Sequence, residues 1–328
     1  MPSTLAKLVL AAFVLAGCVE ALGPPHLGHG VRIHQRDDHK TLSKRLSGYT
    51  SVVVFGASYQ DNAHPRASQY SGSLKSPPYY KGRWSNGIVS SEILAQKLKA
   101  PDLNYAYGGA HIDNNITSGS VPATADQIKM YLTDVGKNAT FRGSGRVLHM
   151  FWIGINPMKQ IWNEWQKDGN ANKANAWATQ NANAVIKQAQ TLASNAAVTK
   201  GVVAADFLIL PIPPLEILPT FRFQASNSKQ LSALANFTAT FNSVLGTGIT
   251  TMKKSDTSKG RTLTYDVVSR WRNMVEYPSN YKLTNVKDAC IDNSKADCST
   301  FMYWDTLHPT TAVHSSLASA FFNIVNKA

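Results

Sequence analysis

The sequence predicts an α/β fold: a three-layer α/β/α sandwich with a mainly parallel sheet. Three observations carry this expectation. From residue 51 onward, short apolar runs alternate with longer segments of helical spacing. That alternation builds a parallel sheet with helices on both faces. Several strand-like runs stop at glycine or proline, as at Gly56, Gly154 and Pro211. Finally, 328 residues with 43% hydrophobic and 16% charged content have the composition of a globular chain with a sizeable core.

Ser51–Phe55 is a β-branched run closed by Gly56. In Ile88–Leu98, Val89, Ile93, Leu94 and Leu98 recur on one side, which predicts a helix. Asn104–Tyr107 reads as a short strand before Gly108-Gly109, and Arg146–Ile153 as an apolar strand before Gly154. Ala174–Ala193 is an Ala-, Asn- and Gln-rich helix, and Val202–Leu210 is another apolar strand, stopped by Pro211. Leu231, Leu234, Phe241 and Leu245 mark a helix near Lys229–Met252; Thr262–Val268 alternates like a strand; Thr311–Val325 is a closing helix. No internal repeat and no second domain are visible. In open sheets of this kind, ligands bind outside the carboxyl ends of the strands. Ser58, Gly108 and Asn156 each follow a candidate strand, so all three are expected on one rim.

The first 45 residues read differently. Lys7 precedes the apolar run Leu8–Gly17, and Val19-Glu20-Ala21 offers a small-residue cleavage site. Residues 1–21 are therefore expected to be a signal peptide, too short in its apolar part to span a bilayer. A second reading of the same stretch makes Leu15-Ala16-Gly17-Cys18 a lipoprotein cleavage site. Residues 22–45 hold Pro24, Pro25, His26, His29, His34 and His39 and end at the dibasic pair Lys44-Arg45, the pattern of a pro-segment. The catalytic domain is then expected over 46–328, and the mature protein outside the cell, with no transmembrane segment. Of the three cysteines, Cys290 and Cys298 follow the signal. An oxidising compartment favours a disulfide between them, against a pair of buried thiols. Asn115, Asn138 and Asn236 head glycosylation sequons, which a chain rich in Asn, Ser and Thr also makes by chance.

The formal net charge is +13, of which residues 1–45 supply six Lys/Arg against three acids. Such a balance suits an anionic surface, or simply solubility. Nucleic acid is not expected, since no basic cluster interleaved with aromatics and no known binding motif occurs.

Two segments carry the chemistry. Val54-Phe55-Gly56-Ala57-Ser58-Tyr59 sets a serine directly after a strand, without forming a G-x-S-x-G elbow. Asp305-Thr306-Leu307-His308 sets an acid and a base three residues apart, ahead of Pro309 and of Thr310, a residue type that caps helices. A serine hydroxyl needs a base within hydrogen-bond reach, and that base needs an orienting acid. Either segment alone is weak evidence: such a serine is often a turn residue, and Asp and His are common in loops.

Together with two further blocks, these segments resemble the GDSL/SGNH esterases. Val54–Asn62 resembles the nucleophile block, Asn104–Ala110 the glycine block, Phe151–Asn156 the Gly-x-Asn block and Trp304–Pro309 the Asp-x-x-His block, in that order. Arg83-Trp84-Ser85-Asn86-Gly87, after Pro77-Pro78-Tyr79-Tyr80, resembles the fungal and plant-like branches. The resemblance implies a flavodoxin-like sandwich and a serine ester hydrolase that needs no cofactor. It implies that Ser58 attacks, His308 moves the proton and Asp305 orients His308. The backbone N–H groups of Ser58 and Gly108 and the amide of Asn156 would hold the oxyanion, with Gly109 as second choice to Gly108. Two positions depart from the family: Ala57 and Pro157 stand where an aspartate is usual.

The expected function is a secreted esterase acting through an acyl-enzyme on short acyl esters, such as acetylated polysaccharide. The alternatives are a lipase or phospholipase, a non-catalytic binder on the same scaffold, and metal-dependent hydrolysis by the histidine-rich segment. His64, His111, His149 and His314 read as structural or surface groups, with His111 near enough to the glycine block to approach the site. Tyr79, Tyr80, Trp84, Trp152 and Trp304 read as core or groove residues. Arg83 is a surface arginine or a substrate anchor.

Overall fold

The computed structural model describes residues 48–66, 77–293 and 297–327. The expected signal peptide at 1–21, with Cys18, and the pro-segment at 22–45, with its four histidines, lie outside the described residues.

In chain order the main elements are β1 (Tyr49–Gly56), α1 (Ser90–Leu98), β2 (Asp102–Asn104), α2 (Thr124–Lys137), β3 (Arg146–Trp152), α3 (Ile155–Asp168) and α4 (Ala171–Ser194). There follow β4 (Ala204–Ile209), α5 (Pro219–Gln224), α6 (Ser228–Lys253), β5 (Thr262–Leu263), α7 (Val267–Glu276), β6 (Asn285–Ala289), β7 (Phe301–Tyr303) and α8 (Thr311–Lys327). The main sheet runs β2-β1-β3-β4-β5 with every neighbouring pair parallel. This is the doubly wound order, in which the strand sequence reverses between β1 and β3 and leaves a crevice there.

Both faces of the sheet are covered, which explains the unbroken apolar runs. Val52, Val53, Val54 and Phe55 are all fully buried. Phe55 and Phe151 turn to one face, where Phe55 meets Tyr131 of α2 at 5.7 Å between ring centroids. Trp152, the next residue of β3, turns to the other face and meets Phe321 of α8 at 5.9 Å. The predicted three-layer α/β/α sandwich with a parallel sheet is thus observed. Among the described residues no helix is long and apolar enough to cross a membrane.

Register decides where the site sits. Gly56 pairs with Trp152, and Phe151 with Ile209, so β1, β3 and β4 end at one level. The loops after them share one rim. A separate parallel pair, β6 and β7, delivers the C-terminal loop to that rim.

Some boundaries differ from expectation. β2 stops at Asn104, because the Asn104 side chain accepts the Ala106 N–H at 2.9 Å and turns the chain. β5 has two residues, because Asp266 accepts the Ser269 N–H at 2.9 Å and starts α7 at Val267, inside the stretch expected as strand. Helices α2, α3, α5 and α7 and the small sheet are additions to the predicted elements.

At the opposite end of the sheet, Asp206 is completely buried among Tyr49, Arg146 and Arg261. Burial opposes its ionisation, and hydrogen bonds from Arg261, Tyr49 and Arg146 outweigh burial and lower its pKa. Its stabilising contribution is therefore full above the ordinary carboxylate range and is lost as pH falls through the lowered folded value. Asp206→Ala should destabilise the fold by about 3–5 kcal/mol at neutral pH in urea unfolding, since two partly buried guanidinium groups lose their counter-charge. The difference between mutant and wild type should shrink in acid.

Candidate active site

The nucleophile turn follows β1 without a break. Gly56 donates its N–H to Gln127 Oε1 and accepts from Gln127 Nε2, both at 2.9 Å. A Cβ at Gly56 would stand 2.8 Å from the Trp152 carbonyl oxygen, so close packing excludes any other residue here. The next residues form one tight turn: the N–H groups of Gln60 and Asp61 both donate to the Ala57 carbonyl, at 2.9 and 3.0 Å. Side chains on either side pin the turn. The Tyr59 hydroxyl donates to the Leu307 carbonyl at 2.6 Å. Gln60 donates to Ser90 Oγ at 2.9 Å and accepts the Ser91 N–H at 3.1 Å, fixing the turn to α1.

The Asp-x-x-His spacing works through the backbone. Asp305 Oδ1 accepts the N–H groups of Leu307 and His308, at 2.8 and 2.7 Å, and so folds its own loop. Trp304 N–H donates to the His308 carbonyl at 2.7 Å and closes the loop. His308 Nδ1 then lies 2.7 Å from Asp305 Oδ2, and His308 Nε2 lies 2.8 Å from Ser58 Oγ. The three side chains form the continuous serine–histidine–aspartate relay that nucleophilic catalysis requires. Burial works against the Asp305 charge. The neighbouring His308, by charge and hydrogen bonds, and the Leu307 N–H outweigh burial and hold the carboxyl at about 2.

Two flanking aromatics were legible only as core or groove. The Tyr79 hydroxyl donates to Asp305 Oδ2 at 2.8 Å, on the outer side of the relay. Trp84 lies 5.0 Å from the His308 ring centre. Its indole nitrogen is 2.2 Å from where a Gly108 Cβ would be, so Gly108 has to be glycine. Arg83 pairs with Glu92 at 2.6 Å, which fits neither a free surface arginine nor a substrate anchor.

Of the two glycine N–H groups that the resemblance offers for the oxyanion, one is engaged. The Gly108 N–H donates to Asp61 Oδ2 at 2.7 Å, so it is already occupied by a buried carboxylate. Gly109, at φ +82°, meets no acceptor for its N–H among the described residues, nor does Ser58. Asn156 donates one amide hydrogen to the Ala110 carbonyl at 2.9 Å, which leaves its second free. The available donors are therefore Ser58, Gly109 and Asn156, with Gly108 serving as the anchor of its block. Pro157 is accommodated because it lies in the first turn of α3, where a backbone N–H has no helical partner. Thr310 does not cap α8: its hydroxyl donates to the Phe301 carbonyl at 2.7 Å, and Asn86 Oδ1 takes the Thr311 N–H at 2.8 Å.

Of the other histidines, His111 lines an open cleft with Gly109 and Asn156, and burial lowers its pKa. His64 bonds to the Ala106 carbonyl. His149 and His314 are fully buried, and burial lowers their pKa to about 4 and about 3. The Cys290–Cys298 disulfide is formed and packs with Phe301, Trp304 and Tyr79 beneath the Asp305 loop. Asn115, Asn138 and Asn236 are all exposed.

Comparison with known proteins adds the family. The model of the GDSL-like Lipase/Acylhydrolase family matches residues 52–321. The chain is 22% identical over 321 residues to a phosphatidylcholine-sterol acyltransferase of Aeromonas hydrophila, covering 82% of this chain and 88% of that protein. It is 22% identical over 296 residues to a thermolabile hemolysin of Vibrio parahaemolyticus, covering 84% of this chain and 63% of the hemolysin. An extracellular lipase structure from Streptomyces rimosus superposes with a TM-score of 0.45 at 16% identity, over 85% of this chain and 99% of that one.

An activated serine reacts with a fluorophosphonate, and an ordinary one does not. Labelling is therefore expected at Ser58, read by peptide mass spectrometry. Asp305→Asn should slow it by about 10⁴-fold, because the histidine loses its orienting acid. Tyr79→Phe should slow it by about tenfold, the worth of one hydrogen bond to a charged group.

Proposed function

Because this chain belongs to the GDSL-like lipase/acylhydrolase family, it is a carboxylic ester hydrolase, and we propose that it is a secreted serine esterase that removes short acyl groups from a polyhydroxylated alcohol such as acetylated polysaccharide. The observation that carries the substrate class is the cleft beside Gly109 and Asn156. Its other walls are His111 and polar side chains, among them Ser118, Lys159, Gln160, Asn163 and Glu164, with no aliphatic residue and no Phe, Tyr or Trp. Sugar hydroxyls find donors and acceptors on such walls. A long acyl chain would need a continuous apolar channel instead.

In this reading Ser58 Oγ bonds to the ester carbonyl carbon while His308 Nε2 takes the hydroxyl proton. The carbonyl oxygen becomes an oxyanion held by the N–H groups of Ser58 and Gly109 and the Asn156 amide. Collapse breaks the bond to the alcohol, which leaves with the proton from His308. A water then attacks the acyl-serine, giving its proton to His308, and the acid leaves as Ser58 regains its hydrogen. Asp305 stays ionised throughout and orients the imidazole. The exposure of all three sequon asparagines supports glycosylation in a secretory route.

Hydrolysis of p-nitrophenyl esters from acetate to palmitate should be fastest with acetate and fall to background in Ser58→Ala. Asn156→Ala should lower kcat by about 10²–10³-fold with KM little changed, the effect of removing one oxyanion donor. A rate maximum at palmitate would favour a lipase instead. Ser58→Ala with unaltered biological effect would favour a binding protein.

A further inference from the structure

A second, smaller hollow lies against the nucleophile. Its walls are Ala57, Ser58, Tyr59, residues 152–155 and Ile212. Two polar side-chain groups of these walls are committed elsewhere. The Tyr59 hydroxyl donates to the Leu307 carbonyl, and the Trp152 indole N–H donates to the Pro211 carbonyl. The walls are mainly apolar, with the reactive serine among them. The hollow measures about 10 Å³, close to the least that admits one water-sized group. Only the smallest acyl groups come near that size, and a propyl chain exceeds it.

The walls are stiff. Ile212 donates its backbone N–H to Asn242 Oδ1 at 3.0 Å and accepts from Asn242 Nδ2 at 2.9 Å. Gly154 sits at φ +136°, and a Cβ there would come within 3.0 Å of Ile212 and 2.8 Å of Phe241. Ile212 and Phe241 thus pack tightly against Gly154. On the other side stands Ala57, the residue directly before the nucleophile. A larger or charged side chain at this position would fill the space, so the small residue keeps it open.

We infer that this hollow is the acyl subsite: it takes the methyl of an acetyl group whose carbonyl carbon is bonded to Ser58 Oγ, and Ala57 and Ile212 set its length limit. The inference rests on the esterase reading above and adds the residues that choose the acyl group.

The test compares kcat/KM for p-nitrophenyl formate, acetate and butyrate in wild type, Ile212→Ala and Ala57→Val. Wild type should prefer acetate to butyrate by about tenfold or more, the usual discrimination a tight pocket gives per methylene. Ile212→Ala should shrink that ratio at least tenfold by lengthening the hollow. Ala57→Val should depress acetate by about tenfold relative to formate, which has no methyl to place. A milder Ile212→Val, checked for an unchanged melting temperature, should move the ratio in the same direction. Wild type preferring butyrate, or variants that scale all three esters equally, would overturn the subsite and leave the esterase standing. Activity that survives Ser58→Ala would remove the esterase reading itself, and the subsite with it.

Discussion

His308 Nε2 has to lie within hydrogen-bond reach of Ser58 Oγ, although the two residues are 250 positions apart. The fold is organised around meeting that requirement. The sheet fixes where Ser58 stands, because β1 is paired with a strand on each side and is buried from Ser51 to Gly56. The C-terminal loop is then tied down from several directions. Tyr59 holds Leu307, the Ser85 hydroxyl holds the Pro309 carbonyl at 2.9 Å, Asn86 holds the start of α8, and the Thr220 N–H holds the Thr306 carbonyl at 2.8 Å. Remove the sheet order and these partners no longer converge.

The bracing is done mostly by neutral groups. Gln127 clamps Gly56, Gln60 anchors the turn to α1, and Asn104 shapes the end of β2 while donating to the Gln60 carbonyl at 2.8 Å. Amides offer both a donor and an acceptor and add no net charge to a poorly solvated site. Two carboxylates near the serine have separate tasks. Asp305 faces the histidine. Asp61 faces backbone N–H groups of Ala63 and Gly108 and shapes the glycine block. This explains how the turn stays ordered with alanine, not an acid, before the nucleophile.

Much of this was legible in the sequence, and the limits have physical causes. β1, β3 and β4 were visible because two covered faces demand unbroken apolar runs. α3 was hidden because Asn156-Pro157 looks like a turn signal, whereas a proline in the first helical turn costs nothing. β5 was read too long because Tyr265 and Val267 continue the alternation, and only the Asp266 cap ends it. The triad residues declared themselves by type and position. The choice between Gly108 and Gly109 did not, since adjacent glycines are identical to a pattern. A carboxylate 47 residues upstream engages the Gly108 N–H and distinguishes the two. Gln127 carried no signal, and Tyr79 showed only as a core or groove aromatic, because their partners come from distant parts of the chain.

The tie between Tyr59 and Leu307 has a consequence for the life of the molecule before it is finished. Translation delivers Ser58 early and its base late. Until α8 docks against α1, the serine hydroxyl has no imidazole beside it and is chemically ordinary. The nascent chain thus carries no reactive nucleophile past the crowd of acylated molecules it meets during synthesis. Reactivity requires the C-terminal loop to be docked, so it also reports on that docking.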